Sequence, residues 1–247
     1  PFRHALREWE RGLARIPAAA DESRAICAAL DSRMDEVARD MKDTGSALDK
    51  ALSRSESFLK VSEQLIELVA ESGIETEDTP YINIAKRAAA QISTLLEDAL
   101  RTRSIGEAEL FDEHYRPIPN TNPAQHLTRF VELADRLFPQ VQEGVLAMNE
   151  KIVFCIAVDR NGYVATHNQK YCQPQRGDLA WDTANSRYRR IFNDRTGLAS
   201  ARNRRPFLLQ TYRRDMGGGQ FVLLKEAAAP IVVAGKHWGG LRVAFKF

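Results

Sequence analysis

The C-terminal part of the chain, from residue 151 onward, most constrains the fold, because short apolar runs alternate there with tight turns. The runs are residues 151–159, 163–167, 206–213, 221–233 and 238–247. The pairs Asn161-Gly162 and Gly217-Gly218 supply residues suited to hairpin turns. We therefore expect a small antiparallel sheet. Sheets of this kind with one helical insert typically enclose a small ligand, which favours a signal-receiving module over an enzyme.

The N-terminal residues 1–70 predict one long helix with a coiled-coil seam. Between residues 27 and 69, positions spaced alternately by three and four form a largely apolar stripe of about six heptads. Thr44, Ser55 and Ser62 interrupt the stripe with small polar side chains. Two interpretations are equally open: the helix packs on the rest of the domain, or it is a dimeric signalling helix that changes its packing at low cost.

The middle of the chain predicts further helices and one crossing loop. Gly73 ends the long helix, and Pro80 opens a second one with an apolar face. Three prolines in residues 115–123 predict an irregular loop, and residues 124–148 predict another helix. The fold class is α+β. The expected segments are residues 1–72 for coiled-coil dimerisation and signalling, 73–150 for a helical region, and 151–247 for a sensor sheet.

Composition excludes several classes of protein. The net charge of +2 implies no bulk electrostatic partner, and the three widely spaced cysteines predict neither a disulfide framework nor a Cys-x-x-Cys metal site. Reduced thiols fit a cytoplasmic protein. No apolar run reaches the roughly 18 residues that span a bilayer, and no signal peptide is visible. We interpret the start at Pro1 as that of a fragment of a longer protein.

Motifs of catalysis are missing from the sequence. No Gly-x-Ser-x-Gly nucleophile motif occurs, and Cys155 lies within an apolar run, where a thiol is usually inert. The glycines of residues 216–219 lack the Lys-Ser/Thr of a phosphate-binding loop and precede a strand. We therefore expect no enzymatic activity.

Two segments resemble a Cache or PAS-like sensor domain. They are residues 152–167 (IVFCIAVDRNGYVATH), with the D-x-x-G turn of that family, and residues 229–243 (APIVVAGKHWGGLRV), with its strand-Gly-strand ending. Residues 159–168, 190–197 and 209–215, together with residues 111–119, are similar to the C-terminal sensor region of some bacterial methyl-accepting chemotaxis proteins. The resemblance covers residues 55–247.

This resemblance implies a function and a set of partners. The chain would be the cytoplasmic ligand-sensing module of a chemotaxis-type signal transducer, binding a small molecule, which can be anionic, in a Cache/PAS-like pocket. It would act as a homodimer and reach a histidine kinase/adaptor complex through the rest of the receptor. The hairpin tip that contacts the kinase is not seen in this sequence.

The expected pocket lies between the sheet and the insert that follows residue 167. Within the insert, residues 182–192 predict a short helix and residues 193–205 predict a loop with Gly197. Side-chain alternation along residues 207–214 and the polar residues of the insert supply the candidates. The predicted ligand-binding residues are Tyr163, His167, Tyr171, Asn185, Arg190, Gln210, Tyr212 and Lys225. Asp159 is expected to cap the turn at Asn161-Gly162. The cofactor is unknown, and haem at His167 is not expected because no second ligand has a fixed spacing to it.

An arginine-rich segment supports an alternative function. Residues 187–214 hold nine arginines and one acidic residue, Asp194. The arginines could bind an anionic small ligand, form a solvated face neutralised by the acidic helices, or contact nucleic acid. The near-neutral net charge argues against a strong phosphate-backbone binder. A nucleic-acid-binding or scaffold protein remains the alternative to the sensor.

Overall fold

The computed structural model describes residues 2–247, and their contacts form two units. The first unit extends to Val61 and the second comprises Ser62–Phe247. Helix α1, Phe2–Glu71, confirms the predicted long helix. The seam residues Leu30, Met34 and Val37 are exposed. Among residues 2–247, no helix combines the length and the apolarity needed to cross a membrane.

The second unit combines helices with antiparallel strands, as predicted. Its helices are α2 (Thr79–Arg101), α3 (Glu107–Leu110), α4 (Val131–Leu146), α5 (Leu179–Asn185) and α6 (Arg195–Arg202), and its strands are β1 (Arg116–Pro117), β2 (His126–Leu127), β3 (Ile152–Asp159), β4 (Tyr163–Val164), β5 (Arg190–Ile191), β6 (Leu208–Asp215), β7 (Phe221–Val233) and β8 (Lys236–Phe245). A four-stranded sheet has the order β3-β8-β7-β6, and β1 with β2 and β4 with β5 form two small ribbons. The predicted division at residues 72 and 150 stays a prediction.

One face of the four-stranded sheet, here called the outer face, packs against α2 and α4. Ala227 and Ala229 of β7 share a buried apolar cluster with Val243 of β8 and with both helices. Residues Ile82, Ala85, Ala89, Ile92 and Leu96 form the buried stripe of α2, as their spacing predicts. The outer face therefore supplies the main hydrophobic core, which leaves the opposite face of the sheet for other contacts.

Local predictions fail where short elements replace a loop or a helix. The proline-rich loop contains β1, which pairs with His126–Leu127, so α4 begins only at Val131. A two-residue edge ribbon needs few backbone donors, and Pro117 can therefore take part in it. The helix predicted at residues 182–192 is instead α5 followed by β5, because the backbone leaves the helical region at Ser186 (φ −107°, ψ 78°) and Arg189 has a φ of 62°.

The predicted loop at residues 193–205 contains helix α6. Asp194 is its N-cap, and the carboxylate accepts hydrogen bonds from the Thr196 and Gly197 backbone N–H groups at 3.0 Å. A side-chain cap of this kind stabilises a helix start by about 1 kcal/mol. An aspartate at this position is a common N-cap residue, and the sequence analysis did not use it to predict the start of a helix.

Gly239 on β8 is expected to be intolerant of any side chain. A Cβ there would lie 2.0 Å from the carbonyl oxygen of Val158 on the paired strand β3. We expect Gly239→Ala to destabilise the second unit by about 1–3 kcal/mol, measured by urea denaturation. Gly144→Ala is the matched control, because that position in α4 has no atom within 4 Å of an added Cβ. It should be neutral or stabilise by about 0.5–1 kcal/mol, and equal losses in both variants would contradict the steric argument.

Candidate functional site

The face of the sheet opposite the outer face, here called the inner face, carries charged and polar side chains. Phe154 of β3, Arg242 of β8, Glu226 of β7 and both Gln210 and Arg214 of β6 contribute to it. It is covered by the insert, residues 165–205. All five side chains are buried, with at most 3% of their surface exposed.

Glu226 and Arg242 form a buried ion pair at the centre of the inner face. Arg242 Nε and one terminal nitrogen donate to the two carboxylate oxygens at 3.0 and 2.7 Å. The hydroxyl of Ser200 on α6 donates to the same carboxylate at 2.5 Å, and Gln210 Nε2 donates at 3.2 Å. Four donors therefore occupy Glu226, and it has no capacity to neutralise a second cation.

Arg214 lies on the same face and is the exception to this pairing. It is 1% exposed, and among the residues that the structure describes none accepts a hydrogen bond from its Nε or from either terminal nitrogen. Its guanidinium lies 4.1 Å from the ring centroid of Tyr171 and 5.4 Å from that of Phe154. Two aromatic rings thus lie beside a buried cation whose five N–H donors find no acceptor among the described residues.

The contact between Arg214 and Phe154 crosses the whole inner face. β6 and β3 are the two edges of the sheet, and the backbones of the first and fourth strands of a flat sheet lie about 14 Å apart. The guanidinium centre nevertheless lies 5.4 Å from the Phe154 ring centroid, so the two side chains reach towards each other beneath the insert.

His167 contributes a neutral imidazole to the same space. Its ring lies edge-on to Phe154 and Tyr171, with centroids 5.6 and 4.9 Å away. The backbone N–H of Asn168 donates to Nδ1 at 2.7 Å, which places the proton of the neutral ring on Nε2. Burial, and then the positive charges of Arg187, Arg214, Arg242 and Lys170, hold the pKa of His167 well below its usual value.

The insert adds two further arginines near this space. Arg187 is buried, donates to the carbonyl oxygens of Thr183 and Asp215 at 2.8 and 3.1 Å, and lies 4.8 Å from the Phe192 ring centroid. Arg190 is half-buried and lies 4.9 Å from the same ring. The charges that lower the pKa of His167 are those of Arg187, Arg214, Arg242 and Lys170, all of them cations.

The structure brings four of the predicted ligand-binding residues to the inner side of the sheet. His167 and Tyr171 contact each other beside Arg214, and Arg190 lies over Phe192. Gln210 Nε2 donates to the Thr196 carbonyl oxygen, Ser200 and Glu226, whereas its buried Oε1 has no partner among the described residues. The side chain of Tyr212 lies outside the residues that the structure describes.

Three predicted residues lie elsewhere. The Tyr163 hydroxyl donates to the His126 carbonyl oxygen at 2.8 Å, and its ring belongs to the core cluster of the outer face. Lys225 Nζ lies 2.9 Å from both carboxylate oxygens of Asp78, because successive residues of β7 point to opposite faces. Asn185 donates to the Trp181 carbonyl oxygen within its own helix.

Sequence reasoning missed Arg214, Arg242, Glu226 and Phe154 as residues of the site. The sequence did contain a signal, because Glu226 and Arg242 are charges of opposite sign within largely apolar strands. A charge in such a strand is costly to bury unless it has a partner or a function. Arg214 shares the strand face of Gln210, and the same alternation could have selected it.

The turn residue Asp159 behaves as predicted. Its carboxylate accepts hydrogen bonds from the Asn161 and Tyr163 backbone N–H groups at 2.9 Å and from the Tyr115 hydroxyl at 2.6 Å. Burial raises the pKa of Asp159 to about 6. All of these contacts hold the β3–β4 turn, so we assign Asp159 a structural role.

The nine arginines of residues 187–214 do not share one surface. Arg187 and Arg214 are buried, whereas Arg213 is exposed and lies over Phe221. Arg189 forms an ion pair with Asp135 of α4, and Arg195 forms one with Glu63. The segment therefore serves several local roles, of which the two buried arginines concern the inner face.

An open cleft of 740 Å³ at one end of the sheet is a weaker candidate for a binding site. Its lining includes Arg160, Lys236 and His237. Arg160 is paired with Glu113, and Lys236 is paired with Glu107. His237 Nε2 lies 2.9 Å from the Asn203 carbonyl oxygen. These polar groups already have partners, in contrast to Arg214. Within residues 2–247, no group of three or more His, Cys, Asp or Glu side chains could hold a metal ion.

Comparisons with known proteins leave the family open. No family model matches the chain, and no curated protein matches it. One solved structure that matches is an extracellular ligand binding receptor from Desulfohalobium retbaense DSM5692, with 13% sequence identity and a TM-score of 0.33. The match covers 70% of this chain and 26% of the receptor, so the chain spans about a quarter of that protein's length. A likeness at this level supports no inference about function.

Proposed function

We propose that the second unit is a sensor that binds a small anionic molecule between the inner face of the sheet and the insert. The single observation that carries this proposal is the Arg214 guanidinium, which is buried without a hydrogen-bonding partner among the described residues. The proposal is for binding without turnover. It includes the finer assignments to a Cache/PAS-like fold and to a bacterial chemotaxis-type transducer in the cytoplasm.

Energetics explain why an unpaired arginine points to a ligand. Taking a charged side chain out of water costs several kcal/mol unless an opposite charge or good hydrogen bonds compensate. The two aromatic rings at Arg214 offset part of this cost, since a desolvated cation–π contact contributes about 2 kcal/mol or more, but they leave its N–H donors without conventional acceptors. A bound anion would satisfy the remaining charge and donors, whereas Glu226 cannot because Arg242 already occupies it.

Contacts between the insert and α4 support a route for the signal. Asn168, adjacent to His167, donates from Nδ2 to the Gln142 carbonyl oxygen and to Glu143 Oε1, both at 3.1 Å. Arg189 of the insert donates to Asp135 Oδ1 at 3.1 Å. A ligand that shifts the insert would therefore pull on α4 at two points. Ligand binding would act by changing the populations of two packings of this helix.

The proposed output is a homodimer formed through α1. This helix exposes the seam residues Leu30, Met34 and Val37. We propose that α1 of a second copy of the chain packs against them. Signalling to a histidine kinase/adaptor complex would run through the rest of a longer receptor. The polar seam residues Thr44, Ser55 and Ser62 would keep alternative packings close in free energy.

Binding can be tested by thermal shift and calorimetry with acetate, pyruvate, succinate, citrate and inorganic phosphate as probes. At about 100 times its Kd, a true ligand should stabilise the protein by about 2.7 kcal/mol and raise Tm by about 5–10 °C. Arg214→Met should abolish the shift. The matched control is Arg213→Met, because the neighbouring arginine is exposed and should bind as the native chain does. An unchanged shift in Arg214→Met, or no shift with any probe, would contradict the proposal.

A further inference from the structure

We infer that the ligand of the inner face is a carboxylate that carries no amino group. This inference rests on the proposed function, because it assigns the chemical class of the molecule bound there. It follows from two properties of the site. Arg214 offers hydrogen-bond donors to an anion, and the surrounding residues offer no acidic partner to an amino group.

Arg214 offers a complete guanidinium fork to a planar anion. Its Nε and both terminal nitrogens are buried and have no partner among the described residues. A guanidinium binds a carboxylate through two parallel hydrogen bonds, which fix the anion in its plane. The rings of Tyr171 and Phe154 lie within 5.4 Å of the guanidinium centre, and they place apolar surface beside it.

One unpaired cation matches one carboxylate. Arg242 has its charge neutralised by Glu226, with Nε and one terminal nitrogen committed to that pair. Arg187 already donates to the backbone oxygens of Thr183 and Asp215. A phosphate dianion would bring two negative charges to the single cation of Arg214, whereas a carboxylate group brings one. His167 adds an Nε2 proton to the site, because its Nδ1 is the acceptor for Asn168.

An amino group would need an acidic partner, and the acidic residues of the sheet and insert are all engaged. From residue 151 to the end of the chain there are six: Asp159, Asp178, Asp182, Asp194, Asp215 and Glu226. Each of these carboxylates accepts at least one hydrogen bond from another residue of the chain. From α4, Glu143 accepts hydrogen bonds from Asn168 and Gln169. Glu226, the acidic residue among the five side chains named on the inner face, already accepts four hydrogen bonds and offers no further site to an ammonium.

The charges near the site also oppose an ammonium. Arg187, Arg214, Arg242 and Lys170 act on His167, and all four are cations. A zwitterionic amino acid would bring its ammonium close to the same cations that attract its carboxylate. The corresponding 2-hydroxy acid, or the acid with hydrogen at that carbon, keeps the attraction and avoids the repulsion.

The test uses three series of compounds with matched carbon skeletons. They are propionate, L-lactate and L-alanine; succinate, L-malate and L-aspartate; and 3-phenylpropionate, L-3-phenyllactate and L-phenylalanine. Inorganic phosphate is a tenth probe. Kd is measured by calorimetry for the full chain and for Arg213→Met, Arg214→Met and Arg214→Lys. Arg214→Lys keeps the charge without the fork, and it remains informative if the methionine variant does not fold.

We expect at least one series to bind, with the amino acid at least tenfold weaker than the better of its two matched acids. Arg214→Met should abolish this binding and Arg214→Lys should weaken it at least tenfold, while Arg213→Met leaves it unchanged. An amino acid that binds as tightly as its matched acids, with the same dependence on Arg214, would overturn the inference and leave the anion sensor standing. Binding of phosphate, without binding of any of the nine organic acids and amino acids, would likewise overturn the inference and leave the anion-sensor proposal intact.

A result that contradicts the proposed function itself would look different. If none of the ten probes binds, or if binding is unchanged in both Arg214 variants, the inner face is not an anion site and both proposals fail. The selectivity within a series therefore tests the ligand class, and the comparison of Arg214 with Arg213 tests the site.

Discussion

Replacing Glu226 by alanine is expected to destabilise the second unit by about 3–5 kcal/mol. The carboxylate is fully buried and accepts hydrogen bonds from Arg242, Ser200 and Gln210. Its removal would leave the Arg242 guanidinium without a counter-charge in a site where water cannot replace it. A loss of this size is a large part of the stability of an ordinary domain. Urea denaturation followed by circular dichroism would measure it.

A double variant distinguishes the lost charge pairing from lost packing. Glu226→Leu combined with Arg242→Met removes both charges and keeps most of the volume. Apolar replacements of whole buried ion pairs are often neutral or stabilising, so the double variant should recover most of the stability that Glu226→Ala loses. If the double variant were as unstable as the single one, the buried pair would have to be essential through its hydrogen bonds to Ser200 and Gln210.

Arg214→Met is expected to have the opposite sign, stabilising the ligand-free protein by about 1–4 kcal/mol. Arg214 and Arg242 are both about 1% exposed, but within the described part of the chain Arg242 has an anionic partner and Arg214 has none. Removing an unpaired buried charge relieves a desolvation cost, whereas Arg242→Met leaves Glu226 unpaired and should destabilise. The two methionine variants are thus matched in chemistry and burial and differ in pairing.

The measurement is denaturation of both variants in a buffer free of carboxylates and phosphate. A gain in Arg214→Met together with a loss in Arg242→Met is the expected result. Stability gained at the cost of binding is a recognised sign of a functional residue. A loss of more than about 1 kcal/mol in Arg214→Met would show that the side chain is needed for the packing of the inner face.

The main elements of the fold could be predicted from sequence because their signals are local. The heptad spacing of α1, the apolar stripe of α2 and the glycine turns between strands each follow from a period of the backbone. Helix α6 and the β1–β2 ribbon could not be predicted in the same way. They are short, and their existence depends on a cap at Asp194 and on a pairing partner at His126–Leu127.

The site was harder to predict than the fold because both faces of the sheet are covered. In a sheet with one solvent-exposed face, polar residues mark the exposed face. Here neither face is exposed, because the outer face packs on helices and the inner face lies under the insert. Lys225 and Glu226 are adjacent, and the sequence does not say which of the two points inward. The structure places Lys225 against Asp78 and Glu226 against Arg242. A shift of one residue exchanges the two faces.

The buried guanidinium on β6 also bears on how long the protein survives in a cell. A form that lacks its anion is the less stable form, and the fraction of time it spends unfolded rises accordingly. Proteases act on unfolded chains, so the lifetime of the protein is expected to lengthen when its anion is plentiful and to shorten when it is scarce. The abundance of the protein would then follow the supply of its ligand, independently of any signal that it sends.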